Sequence, residues 1–408
     1  MYKKMITILF FPIFLFSENL DELINISIKN RLIDSSVQNL NSIEENYNST
    51  KKAYLPSLSI NGRYSNVSEE TISNPKNSIS ASASISYNAY DGGKKDLIYK
   101  SFETQIGSSK ESIIYQKNQI SLEVTSYYYN YLSYLAKKDA KQKEIEQLNA
   151  QYVRLERFLD AGVTTVDELD KIVSRVESAN VELHEIELNL QTIIHNLEYI
   201  LGKSVLIANG SKIKLVKDEK NIRADIKALE LNMQNKLILA KQEKTAINPN
   251  VTLDNTYTYY ENMYDNDNYD SNLDNQNVLS LNVSWKVFDF DSTKKAYESA
   301  YKSYLSSKST YEYEKNRAEV DLKLAHKSYD IAKLKIKSAE AGLKAATSTY
   351  DFTLKKYENG IVDNVTFLEA LSEKYDAISL LESAKYDLEV KKANVVFYSG
   401  KNLWEYVK

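Results

Sequence analysis

The sequence predicts a mainly α-helical chain with a transmembrane β part and an internal two-fold repeat. Three observations predict it. Gly162 and Gly202 are 40 residues apart, as are Gly360 and Gly400, and the offset of 198 between the pairs also maps Tyr87 onto Trp285 and Asp91 onto Asp289. Self-similarity at a fixed offset is the signature of a repeated structural plan. Glycine (10) and proline (4) are scarce, and the four prolines leave 94–248 and 250–408 free of helix breakers. At matching places in the two halves the apolar period switches from helical to two.

The elements follow in order. Residues 1–17 read as a secretory signal peptide: Lys3 and Lys4 precede an apolar run, Met5 to Phe16, that is too short to span a bilayer. Cleavage removes two lysines and no acids, moving the net charge from −4 to −6. Residues 20–53 carry a heptad of Ile26, Ile33, Leu40 and Tyr47, and Pro56 stops that helix. Strands follow at about 57–66 and 79–90, the second alternating Ile79, Ala81, Ala83, Ile85 and Tyr87 with Ser80, Ser82, Ser84 and Ser86. A long helical hairpin, 94–201, turns at a tip at 159–165. Its outgoing seam runs Tyr99, Ile106, Ile113, Ile120, Tyr127, Tyr134, Leu148 and Leu155, interrupted only by Lys141. Gly162 suits the helix end, and Thr165 with Glu168 has the spacing of a capping box for the returning helix.

The plan then restarts. Residues 18–204 form repeat 1, 205–221 an irregular connector, 222–402 repeat 2 and 403–408 a tail. Repeat 2 opens with a helix to about Ala246, then strands at about 250–260 and 278–289, the last alternating Leu279, Leu281, Val283, Trp285 and Val287 with polar residues. A second hairpin, 294–397, has its tip at 358–363. Pro249 matches Pro56 at an offset of 193, so the second inter-strand loop, Glu261 to Asn277, is five residues longer; it holds five acids and no lysine or arginine. A surface loop tolerates such insertion.

Composition narrows the function. The chain has no cysteine, which excludes disulfides, thiol chemistry and thiolate metal sites. His184, His195 and His326 are unclustered within expected helices, and no phosphate loop or nucleophile motif is present. No catalytic residue, cofactor, metal or nucleic-acid partner is expected. After residue 17 no apolar run approaches the ~20 residues of a membrane helix, so integral contact with a membrane must be made by β-strands. Four amphipathic strands cannot close a barrel within one chain, because unpaired edges are not tolerated in lipid; three chains supply twelve strands, an even number with room for a lumen. Tyr64, Tyr87, Tyr90, Tyr257, Tyr259, Trp285 and Phe288 lie near the expected strand ends, where aromatic girdles form.

The chain resembles the TolC family of outer-membrane efflux proteins. The resemblance rests on the layout and on Ala53-Tyr54-Leu55-Pro56-Ser57-Leu58 before the first strand, Tyr90-Asp91-Gly92-Gly93 and Phe288-Asp289-Phe290-Asp291 after the second and fourth, and Arg157-Phe158 through Gly162 and Lys356-Tyr357 through Gly360 at the turns. It implies a homotrimer whose twelve-stranded β-barrel, four strands per chain, sits in outer-membrane lipid and continues into a long antiparallel α-helical periplasmic tunnel. It implies a passive exit duct serving a periplasmic adaptor (membrane fusion) protein and an inner-membrane pump of RND or ABC type, in efflux or type I secretion. It further implies an acidic aperture at the closed tip: Glu369 falls where the family often has aspartate, Thr366 occupies the other acidic position, and Asp363, Asp167, Glu168 and Asp170 are nearby alternatives. Gly162, Val163, Gly360 and Ile361 become the adaptor-facing tips. Two rival readings are an exported coiled-coil adhesin, which leaves the matched strand pairs unexplained, and a periplasmic adaptor, which normally has one hairpin between β-domains.

Overall fold

A computed structural model describes residues 17–216, 221–266, 268–269 and 273–408; the signal-peptide segment 1–17 lies outside them except for Ser17. In chain order the elements are β1 (Ser17–Glu18), α1 (Leu20–Ser27), α2 (Arg31–Ala53), β2 (Ser57–Asn66), β3 (Asn77–Tyr90), α3 (Lys94–Asp160), α4 (Val166–Leu201) and β4 (Leu206–Ile207). Then come α5 (Ala224–Glu243), β5 (Asn250–Met263), β6 (Asn275–Ser284), α6 (Ser292–Glu358) and α7 (Asn364–Tyr398), with 3₁₀ turns at Lys244–Ile247 and Leu403–Glu405. Helices α3 and α6 have 67 residues each, about 100 Å at 1.5 Å per residue.

Three expectations need correction. The helix expected over 20–53 is broken. Asn30 starts α2 by accepting from the Ile33 amide (3.0 Å) while its own amide donates to the Ile200 carbonyl (3.3 Å), so a tertiary contact redirects the chain. The fourth strand ends at Ser284 rather than running to 289. Ser284 pairs with Asn250, the first residue of β5; Pro249 before it lacks an N–H to continue the ladder. Trp285, Val287 and Phe288 are therefore exposed beyond the strand. The capping box at Thr165 does not form: the threonine hydroxyl bonds Asp167 instead of a backbone amide, and Glu168 pairs with Lys171 at 2.8 Å.

The chain divides into two compact units, each drawn from both halves of the sequence. The first comprises residues up to 35, 113–224 and 316–408. In its interior Leu148, Leu155, Ile172, Ala179, Tyr350, Phe367, Leu368 and Leu371 form one buried apolar cluster. The connector is anchored to α3 by two buried tyrosines, Tyr128 donating to the Ala208 carbonyl (2.7 Å) and Tyr129 to that of Ser211 (3.0 Å). The C-terminal residues close the same region, Lys212 and Lys408 exchanging backbone bonds of 2.9 Å. At the end of α7, a Cβ on Gly400 would lie 2.7 Å from the Asn221 carbonyl oxygen and 3.0 Å from the Arg223 nitrogen, both fixed backbone. Gly400→Ala is expected to cost about 2 kcal/mol in thermal unfolding; an unchanged melting temperature would show that this junction yields.

The second unit comprises 36–112 and 225–315. Here α2 meets the start of α3 through aromatic contacts, Tyr47 stacking on Phe102 at 5.5 Å and donating to Glu103 at 2.8 Å. The four long strands form one antiparallel sheet in the order β2-β3-β5-β6. Alternation gives the sheet one polar and one apolar face. Its burial is inverted relative to a water-soluble sheet: on β3 the serines are half-buried while Ile79, Ala81, Ala83, Ile85 and Tyr87 are exposed. Strands β2 and β6 each leave an edge unpaired among the described residues.

Candidate functional site

Two regions carry features suited to a duct, one in each unit. The first is the pair of hairpin tips. Both outgoing helices end the same way: Val163 donates to the Phe158 carbonyl (2.8 Å) and Gly162 to that of Leu159 (2.9 Å), while Ile361 donates to Lys356 (2.9 Å) and Gly360 to Tyr357 (3.0 Å). These are paired Schellman closures, and both glycines have φ of 71°, a region that penalises any side chain. In such a closure the apolar residue after the glycine usually packs back on its own helix. Here it does not: Val163 is 73% and Ile361 68% exposed.

The returning helices start side by side, joined through the Ile172, Phe367 and Leu368 core. Asp167, Asp170 and Glu369 come together on one cleft of about 550 Å³, shared with Lys171, Arg175 and Val365. Asp363 does something else. It is the N-cap of α7, accepting from the Thr366 amide at 2.9 Å, and its hydrogen bonds from Thr366 hold its carboxyl below the usual range. Thr366 supplies that amide, and Glu168 lies in an ion pair with Lys171. Asp167 is likewise held low, first by the Thr165 hydroxyl and then by Lys171. Sequence reasoning missed Asn364. It is 4% exposed, and neither polar atom of its side chain has a hydrogen-bond partner; an unpaired buried amide costs about 1–3 kcal/mol.

Behind the tips a polar network crosses three helices. Lys141 on α3 pairs with Glu144 (2.6 Å) and with Glu182 of α4 (2.7 Å). Glu144, 1% exposed, also accepts from the Ser372 hydroxyl of α7 (2.5 Å), which in turn accepts from Arg175 of α4. Nearer the tip, Gln151 donates to the Tyr357 hydroxyl.

The second region is the sheet. Register sorts the aromatic residues of its apolar face by height. Tyr64 pairs with Ile79, and Tyr259 with Ala81, toward the loops between strands; Tyr87 pairs with Leu253, and Tyr90 with Val251, toward the helices. Ile79 and Tyr87 are eight residues apart, about 26 Å along the strand at 3.3 Å per residue. Trp285, which donates to the Ile247 carbonyl at 3.0 Å, and Phe288 extend the helix-side group. Tyr257 departs from the expected belt: it pairs with Ala83, midway between the two levels.

A family model described as "Outer membrane efflux protein" matches residues 25–203 and 215–401, nearly the whole described chain. The fold is that of known channels. A crystal structure of CusC superposes with a TM-score of 0.83 at 15% identity, covering 95% of this chain and 93% of that one. VceC of Vibrio cholerae gives 0.82 at 15% identity over 94% and 96%, and CmeC of Campylobacter jejuni 0.82 at 17% over 95% and 86%. Comparison with curated proteins by sequence finds no match. The chain belongs to the outer membrane efflux protein family. Its place is the outer membrane, with the helical part in the periplasm.

Proposed function

We propose that this protein is the passive outer-membrane exit duct of a tripartite efflux or type I secretion assembly. The observation that carries this reading is the four-stranded sheet with an exposed apolar face, a polar face half-buried on its two central strands, and two unpaired edges. Such edges are not tolerated in lipid. Three copies joining β2 of one to β6 of the next give a closed barrel of twelve strands, with the apolar face toward lipid and the polar face toward water. The repeats 18–204 and 222–402 each supply two of the four strands. Tyr64 and Tyr259 form the outer aromatic girdle, and Tyr87, Tyr90, Trp285 and Phe288 the inner one. Exposed apolar stripes spaced by sevens support the same self-association: Val166 and Val173, then Val181 and Leu188 on α4, and Leu324 and Ile331 on α6.

At the tips, Gly162-Val163 and Gly360-Ile361 offer apolar contacts that their own helices leave unused, suited to a periplasmic adaptor. The unpaired amide of Asn364 supports a tip that changes partners when the adaptor engages. Asp170 and Glu369 are the residues best disposed to form an aperture ring, since they share a cleft; Asp167 and Glu168 are both engaged by Lys171, Asp363 caps a helix, and Thr366 has no charge. The pump is of RND or ABC type, and it chooses the cargo. The test is separation of inner and outer membranes from cells expressing the full chain, then sizing of the detergent extract. Outer-membrane material at about three times the mass of one chain is the expected result. A water-soluble monomer would sink the reading.

A further inference from the structure

The polar face of the sheet is almost without charge. Apart from Val278 its uncharged side chains are hydroxyls and amides, and among the described residues of the four strands it carries one anion, Asp254, and one cation, Arg63. Asp254 is held rigidly. The Ser86 hydroxyl donates to Oδ1 at 2.5 Å, and Asn282 Nδ2 and the Thr252 hydroxyl donate to Oδ2 at 2.9 and 3.3 Å. Three strands thus fix one carboxylate. Its register partners are Ser86 and Ser280, so no cation faces it across either ladder.

Arg63 does not neutralise it. Arg63 pairs with Ser80 while Asp254 pairs with Ser86; six residues at 3.3 Å put the two charges about 20 Å apart along the strand. That is more than twice the Debye length of ~8 Å at physiological salt. The arginine sits at the loop end of the sheet and the aspartate toward the helices. A charge fixed in a narrow aqueous passage with low-dielectric walls acts on whatever passes, because such walls focus its field.

Resting on the duct reading above, we propose that Asp254 is the charge-selecting residue of the barrel passage. Repeated by three copies it forms a carboxylate ring at the helix-side end of the barrel, which favours cationic solutes and slows anionic ones. The donors from Ser86, Asn282 and Thr252 keep the carboxylate in position, so the selection is a fixed property of the wall. It acts on the cargo class after the pump has chosen it, and it does so well away from the tips.

The absence of cysteine makes the test direct, since one introduced thiol is unique. Ser280→Cys sits beside Asp254 on the polar face, and Leu281→Cys points to the apolar face. Outer membranes carrying each variant are treated with small cationic and anionic methanethiosulfonate reagents, and the rates are normalised to a free thiol. The Ser280→Cys protein should label roughly fivefold faster with the cation at low ionic strength, as expected when one unit charge about 9 Å away in water attracts the cation and repels the anion. Adding Asp254→Asn, or molar salt, should bring the ratio close to one. The Leu281→Cys protein should resist both reagents. If Ser280→Cys labels but its ratio ignores Asp254→Asn, the proposal is overturned and the duct reading stands. If Leu281→Cys labels freely and Ser280→Cys does not, the duct reading fails and takes the proposal with it.

Discussion

Lys141→Met is expected to destabilise the helical hairpins by about 3–5 kcal/mol, the usual consequence of leaving a buried charge without its partner. The cost comes from Glu144, not from the lost bridge to Glu182. Glu182 is more than half exposed, and an exposed ion pair contributes little. Glu144 is almost wholly enclosed, its two oxygens shared between the Lys141 ammonium and the Ser372 hydroxyl. Without the lysine, one carboxylate oxygen loses its donor, and the neighbouring Asp376 carboxylate is left to repel it. Removing both charges, with Lys141→Met and Glu144→Leu together, should recover most of the loss, because well-packed apolar residues often replace a buried ion pair at little cost. Denaturant unfolding of the detergent-solubilised protein, followed by far-ultraviolet circular dichroism, measures both variants. A single variant within 1 kcal/mol of the parent would mean that Arg175 and Ser372 hold Glu144 unaided.

This network shows where the sequence was readable and where it was not. Lys141 is legible as the one interruption of the α3 seam, and Glu144 three residues on is its obvious neighbour. The rest of the set, Arg175, Glu182 and Ser372, comes from two other helices and has no local signature. Strands were readable for a comparable reason: a sheet with one face in lipid and one in water must alternate, and β3 does so without a break from Ile79 to Tyr87. Its partner choice was not, since β3 pairs with β5 across more than 160 residues of chain. Strand length fails where a partner runs out, as β6 does at Ser284. Helix breaks fail where a side chain finds a tertiary acceptor, as Asn30 does on Ile200.

The tips behave similarly. Glycine at both turns is visible because only a left-handed residue closes those helices. The division of labour among the acids is not visible. Asp363 and Thr165 occupy matching N-cap positions at an offset of 198, yet only the aspartate bonds a backbone amide. The threonine turns to Asp167 instead. Residue type permits either to cap a helix; the hydrogen bond that each makes separates them.

Ala83→Arg is expected to be the most damaging single change in the sheet, at about 2–4 kcal/mol, the cost measured for a cation on the lipid face of a barrel near the bilayer midplane. Ala83 is exposed on the apolar face of central strand β3, four residues from Ile79 and four from Tyr87, with Ile60 and Tyr257 as its cross-strand partners. An arginine there cannot reach either aromatic level without crossing two pairs of strand residues, roughly 13 Å at 3.3 Å per residue, which exceeds the reach of its side chain. Ser82→Arg is the informative control. It changes the adjacent residue by the same side chain but on the polar face, where water satisfies the guanidinium. Folding yield into lipid vesicles of matched thickness, read as protease-resistant inserted protein, should fall sharply for Ala83→Arg and stay near the parent for Ser82→Arg. The reverse order would assign lipid to the wrong face of the sheet and with it invert the lumen, since a strand has only two faces and the register of β3 fixes both.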